Sequence, residues 1–306
     1  MNAAPALLGY AALVGITAPR VLLRSAWPHR APALGVTVWL ALTVTFVLAL
    51  ALAAAQLATP TEHLHAGLAG LLHACGVGSG PADPDPGTAE RLAVALPVAV
   101  LGTWAGAVVH RCVRAGVHRA RHRDRLDKVG VRCPRLRVTV LPHATPGAYC
   151  LPGLRARVVV SDSAVRLLSP RQLDAVVEHE RAHVAGRHHL PLAAAEGFAG
   201  LFPRLPLARH VRAQVALLLE MSADDRALRR HPDAVLATAM YELAASRTPK
   251  GAFGVAGPDG PSPAVVRMKR ILGPRPAAHP ALRSSLASAV LTAPLLPLLV
   301  ACPPGV

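Results

Sequence analysis

Long apolar stretches alternate with basic, polar ones along this chain. Four apolar stretches, at about 3–23, 34–57, 92–109 and 284–302, have the length an α-helix needs to cross a bilayer. Pro294 and Pro297 predict a kink in the fourth. A further apolar stretch, Leu190 to Phe202, is about thirteen residues long. It is too short to span, so it predicts a core helix or an interfacial segment. Elsewhere the pattern shortens. Residues 111–134 read as a basic, helical juxtamembrane linker, and Leu136–Leu141 and Arg155–Val160 as short strands. Pro142–Pro152, between them, is rich in Pro and Gly. Ser161-Asp162-Ser163 caps a short helix. Ser169-Pro170-Arg171-Gln172 supplies an N-cap, a first-turn proline and the Gln of a capping box, predicting a helix over about 170–188. Leu173, Val176 and Val177 give that helix a buried side. Further helices are predicted at about 207–230 and 232–246. A Gly/Pro-rich loop (248–262) and a short basic helix with Arg267, Lys269 and Arg270 lead to the last apolar stretch. The expected fold is mainly α: a polytopic membrane protein with a membrane region (1–110), the linker, a helical domain with a small β-sheet (135–275) and a fourth span.

Composition agrees with a membrane protein. Hydrophobic residues make up 52% of the chain and charged ones 16%, and mean hydropathy is +0.38. The charges predict an orientation. Arg20, Arg24 and Arg30 follow the first stretch, residues 59–90 hold no Lys or Arg, and Arg111, Arg114, Arg119, Arg121, Arg123, Arg125 and Lys128 follow the third. The positive-inside rule then places the 135–275 domain in the cytoplasm and both termini outside, in a multi-pass plasma-membrane protein. Much of the basic excess behind the net charge of +16 lies beside a membrane helix, where anionic headgroups attract it. With aromatics at 3%, base-stacking platforms are not expected, and neither is direct nucleic-acid binding. The five cysteines (75, 112, 133, 150 and 302) show no C-x-x-C pair. Cys75 and Cys302 would lie outside, where the simpler reading is two free thiols.

The candidate chemistry lies in His179-Glu180-Arg181-Ala182-His183. On a helix His179 and His183 share one face with Glu180 beside them. Two such imidazoles can hold one Zn²⁺, and the carboxylate can take a proton from water held by it. A third ligand is expected. Glu220 ends the apolar run Val215–Leu219, and Asp224 lies one turn further on the same face, placed to accept the second N–H of a ligand histidine. His188, His189 and His210 are weaker ligand candidates and are expected to be exposed. The alternative is that Glu220 and Asp224 are surface charges paired with Arg226 or Arg230.

The stretch Ala148-Tyr149-Cys150-Leu151-Pro152-Gly153, then Val158–Ser161, Leu168-Ser169, the H-E-x-x-H and Glu220-x-x-Ala223-Asp224 together resemble the BlaR/MecR-type antirepressor membrane metallopeptidases. The HtpX and CAAX-prenyl endopeptidases are more distantly similar. The resemblance covers about 135–230. It implies one zinc held by His179, His183 and Glu220, Glu180 as the base, and a cytoplasmic protein substrate, a transcriptional repressor among the candidates. It also implies that Gly147, Ala148, Tyr149 and Cys150 form the edge that pairs with extended substrate, against the alternative of an ordinary loop. Antirepressor receptors carry a penicillin-binding sensor after the last membrane helix. No such sequence follows here, so β-lactam sensing is not expected.

The expected reaction is peptide-bond hydrolysis, with Tyr149, Arg226, His210 and Tyr241 as candidates for stabilising the oxyanion. Three other readings stand beside a repressor-cleaving peptidase. One is a quality-control protease for membrane proteins. Another is an intramembrane protease, disfavoured because Arg171, Asp174, Glu178, Arg181 and Arg187 surround the motif. The last is a non-catalytic sensor or scaffold, disfavoured by the intact Glu180.

Overall fold

The computed structural model describes residues 3–58, 88–246, 256–257, 260–274 and 279–301. Cys75, Cys302, most of the predicted 59–90 outer loop and most of the 248–262 loop lie outside the described residues. The first apolar stretch forms α1 (Ala4–Ala12), a π-helical turn (Leu13–Thr17) and α2 (Ala18–Arg24). Pro19 has no N–H to continue an i to i−4 ladder, and the ladder widens just ahead of it. A short turn, α3 (Trp27–Arg30), leads into α4 (Pro32–Ala58). The next helix, α5, runs unbroken from Thr88 to Val129. It joins the third apolar stretch to most of the basic linker in one rod about 63 Å long. The last apolar stretch is divided into α12 (Pro280–Thr292), a 3₁₀ turn (Ala293–Leu295) and α13 (Leu296–Ala301). Pro294 and Pro297 account for the break where a kink is predicted. The helical stretches Ala4–Arg24, Pro32–Ala58, Arg91–Val129 and Arg283–Ala301 are long and apolar enough to cross a membrane, by length and composition.

Between α5 and α12 lie β1 (Val131–Cys133), β2 (Val138–Leu141), β3 (Ala148–Leu151), β4 (Arg157–Ser161), α6 (Asp162–Leu167), α7 (Pro170–Ala185), α8 (His189–Leu201), α9 (Pro206–Ala227), α10 (Asp233–Ala245), the two-residue strands β5 (Ala256–Gly257) and β6 (Gly260–Pro261), and α11 (Pro263–Leu272). The sheet order is β1-β2-β4-β3, with β2 and β4 parallel and the other pairs antiparallel. β3 is therefore an edge strand. Its four residues lie in the Pro/Gly-rich segment that carries no strand periodicity.

Side chains alternate between the sheet faces. Leu151 and Val159 meet Leu126 of α5 on one face. Val138, Val158 and Val160 meet Leu173, Val176 and Val177 of α7 on the other. The short apolar stretch 190–202 becomes α8, a core helix in contact with α4, α5 and α9. Phe46 of α4 packs edge-on against Phe198 and Phe202 at centroid distances of 5.7 and 5.3 Å. The largest core joins Val36, Trp39 and Val47 of α4 to Val211, Val215, Leu218 and Met221 of α9. Helices α8 and α9 thus share a hydrophobic core with the apolar helix α4, while the sheet and α7 pack in a second cluster.

Candidate active site

The motif helix α7 starts at the predicted capping box. Ser169 N–H donates to Gln172 Oε1 (2.8 Å) and Gln172 N–H to Ser169 Oγ (3.4 Å). It ends at Ala185, before the predicted 188, because Gly186 and Arg187 (φ 48°) turn the chain back. A Cβ at Gly186 would lie 2.4 Å from His188 Nε2, so glycine there lets His188 fold over the end of the helix.

One turn of α7 brings the two histidines together, and α9 brings Glu220 to them. His179 Nε2 and His183 Nε2 are 3.2 Å apart. Glu220 Oε2 lies 3.5 Å from His179 Nε2, and Oε1 lies 3.3 Å from His183 Nε2. A tetrahedral zinc with bonds of about 2.0–2.1 Å separates its donor atoms by about 3.3–3.4 Å. Glu220 faces each ring with a different oxygen, and one ligand atom from each of the three residues lies within 4.8 Å of the other two, a group that could hold one metal ion. The donor set, two imidazoles and a carboxylate, suits a zinc site with one position left for water.

The surroundings orient the histidines. Asp224 is fully buried, and its Oδ1 lies 3.0 Å from His179 Nδ1, although the contact is not aligned well enough to satisfy that nitrogen fully. His188 Nδ1 lies 2.9 Å from His183 Nδ1. If His183 Nε2 keeps its lone pair for a metal, its Nδ1–H donates to His188, which then carries its own proton on Nε2. His188 is thus half-buried and engaged with a candidate ligand, not the exposed residue the sequence predicts.

Arg267 of α11 is the main residue the sequence reading missed. Its Nη1 lies 2.7 Å from Glu220 Oε2, and Nε and Nη2 donate to Asp224 at 2.8 and 2.7 Å. The basic helix carrying it read as a lead-in to the last span, and nothing local in the sequence marks its partners. Glu220 and Asp224 are therefore not surface charges paired with Arg226 or Arg230. Those arginines approach the buried Glu178 at 3.8 and 3.3 Å.

The electrostatics follow from this crowding. Burial alone lowers the pKa of His179, but hydrogen bonding to Asp224 and Glu220 more than offsets it, and the value rises to about 9. Burial, with His179, His188 and Arg267 nearby, lowers His183 to about 4 despite the opposing pull of Glu220. Burial raises Glu220 and Asp224, yet both end below the usual carboxylate range because His179 and Arg267 favour the ionised forms. Burial, helped by Glu220, raises Glu180. Burial and the neighbouring Glu180 push the Cys150 thiol up to about 12, so it is a neutral thiol beside the carboxylate.

Glu180, His179, Glu220 and Arg267 line a cavity of about 220 Å³ that reaches Ala148 on β3. Along β3, Tyr149 pairs with Val159, and Ala148 and Cys150 pair with Val160 and Val158. Ser161 N–H donates to Gly147 C=O (2.9 Å), and Gly147 N–H donates to Ser161 Oγ (2.9 Å). Antiparallel strands alternate bonded and open pairs. Gly147 and Tyr149 therefore turn their main chains toward β4, and Ala148 and Cys150 turn theirs toward the open edge. Of the four predicted edge residues, two thus direct their main-chain groups to the open edge. None of the four oxyanion candidates lines this cavity. The Tyr149 hydroxyl is 2.7 Å from His122 Nε2 on the α5 face, Arg226 turns to Glu178, Tyr241 is 63% exposed, and His210 is about 15 Å along α9 from Glu220.

Residues 115–248, a little under half the chain, match peptidase family M48. The match covers α7, β3, α9 and the metal-ligand candidates, and it supports a metallopeptidase. No curated protein and no solved structure matches the chain.

Proposed function

We propose that this chain is an integral-membrane, zinc-dependent endopeptidase that hydrolyses peptide bonds of a cytoplasmic protein. The observation that carries the proposal is the convergence of His179, His183 and Glu220, with one ligand atom of each within 4.8 Å of the others and Glu180 beside them. The family match and the four apolar helices support it.

His179, His183 and Glu220 would hold the zinc, with Asp224 and His188 fixing the two rings and Arg267 fixing both carboxylates. A bound zinc lowers the pKa of its water and polarises the scissile carbonyl. Glu180, whose burial raises its proton affinity, takes a proton at its carboxylate and delivers it to the leaving amine. The outward main-chain groups of Ala148 and Cys150 would pair with extended substrate, giving affinity with loose sequence selectivity. A repressor of the BlaR/MecR type is the substrate that the sequence resemblance favours; a membrane-protein quality-control role uses the same chemistry.

The first experiment is zinc content and cleavage of an unstructured protein such as casein by the detergent-purified chain. We expect one zinc per chain, lost in His183→Ala and Glu220→Ala. Glu180→Gln should keep the zinc and lose about 10²–10⁴-fold in kcat. Full activity of Glu180→Gln with zinc bound rejects the mechanism. Zinc binding by wild type with no cleavage of any substrate favours the sensor or scaffold reading.

A further inference from the structure

Beside the edge strand β3, helix α5 carries two arginines one turn apart, Arg119 and Arg123, both half-buried. Like charges at this spacing repel, and partial burial increases the cost of each. Neither forms an ion pair with a carboxylate among the described residues. Arg123 Nη1 is buried with no hydrogen-bond partner. Both arginines border the space beside Pro152, Gly153 and Leu154, at the end of the strand. Arg123 lies against the turn that ends the strand, 3.9 Å from where a Cβ on Gly153 would be. Both border a cavity of about 440 Å³. Two carboxylates also border it. Asp127 is taken by Arg157 in a two-point contact, and Asp124 is exposed.

Two half-buried, mutually repelling cations with an orphaned donor suit an anion that arrives from outside. Because they border the end of the strand proposed to hold substrate, the geometry points to a subsite for an acidic side chain of the peptide, a few residues from the scissile bond. This inference rests on the peptidase reading and adds a substrate class to it: segments with Asp or Glu on one side of the cleavage point. Arg119 and Arg123 would act here as specificity residues.

The test is a positional library of fluorescence-quenched decapeptides with Glu, Gln or Lys fixed at each position in turn, assayed with the full-length zinc-loaded protein. We expect one position at which Glu raises kcat/KM at least about ten-fold over Gln. The Arg119→Gln/Arg123→Gln double variant should bring that ratio close to one. Arg123→Glu should shift the preference at the same position toward Lys, a reversal that a merely structural role would not produce. A Glu-to-Gln ratio near one at every position in wild type overturns the subsite. Zinc content and thermal midpoint of each variant separate loss of preference from loss of fold.

If neither casein nor any decapeptide is cleaved, the peptidase reading fails by itself. Fluorescence anisotropy of the Glu-rich and Gln-rich members on the Glu180→Gln protein then decides the subsite. Tighter binding of the acidic member, lost in the double variant, supports the subsite; equal binding overturns it. Vesicles containing phosphatidylglycerol that bind wild type better than the double variant, with no acidic-peptide preference, would assign the pair to lipid headgroups and overturn it as well.

Discussion

His179 and His183 sit one turn apart on the same helix yet differ in proton affinity, because their outer nitrogens face different partners. His179 meets the buried carboxylate of Asp224, whereas His183 meets a second imidazole. With His179 raised to about 9 and His183 lowered to about 4, His179 is the ligand whose proton zinc must displace at neutral pH. Apparent zinc affinity should therefore rise about ten-fold per pH unit between roughly pH 5 and pH 9 and then level off. Binding near pH 7 should release about one proton, measurable by calorimetry in buffers of different ionisation enthalpy. A flat affinity over that range would contradict the His179–Asp224 pairing. The partner of His183 makes a separate prediction. His188→Ala should weaken zinc binding about 10–100-fold, and His188→Asn, which restores an acceptor, should recover part of it. Equal zinc affinity in wild type and His188→Ala would show that the turn at Gly186 is structural only.

Between elements, Gly197 of α8 lies directly against the backbone of α5. A Cβ there would lie 3.1 and 3.2 Å from Val108 Cα and N, which are backbone atoms that cannot rotate away. Gly197→Ala should push α8 from α5 and cost about 1–3 kcal/mol, read as a lower thermal midpoint in detergent. Gly35 differs. A Cβ there meets the Leu218 side chain at 2.9 Å and the Pro28 ring at 3.2 Å, with no backbone atom among its nearest neighbours, so Gly35→Ala should cost less. The elements also differ in how legible they were. The capping box, the apolar face of α7 and the apolar run of α9 are local patterns, and the helices lie within a few residues of where those patterns put them. β3 has no such pattern, because a four-residue edge strand is held by its partner β4 and not by its own periodicity. The basic linker reads as separate from the third span because its charge changes abruptly, but helix propensity does not, so the rod continues.

For the whole molecule, the core that α8 and α9 share with α4 ties the motif-bearing domain to the apolar helices, so the orientation of one fixes that of the other. If Arg119, Arg123 and their neighbours lie on the cytoplasmic side, a cysteine at exposed His118 should react with a membrane-impermeant maleimide only after permeabilisation, in a background whose other cysteines are replaced. Labelling in intact cells would reverse the topology and place the candidate zinc site outside. That shared core also implies that the 135–275 region cut out alone would expose the α9 face that packs on α4, so the full chain is the unit to study.

What the sequence determined by itself was whatever depends on short-range geometry. That covers two histidines and a glutamate on one helical turn, an acidic pair one turn apart on another helix, and four stretches long enough for a bilayer. These follow from the 3.6-residue period and from hydrophobic length, which need no knowledge of distant neighbours. Tertiary structure alone decided which charges meet. Arg267 reaches Glu220 and Asp224 across more than forty residues, Arg226 and Arg230 turn instead to Glu178, His188 folds back on His183, and Gly147 and Tyr149 turn their main chains inward while Ala148 and Cys150 face out. Such pairings are set by how helices pack and how strands register, and a charge in a linear sequence carries no record of the partner that packing will bring to it.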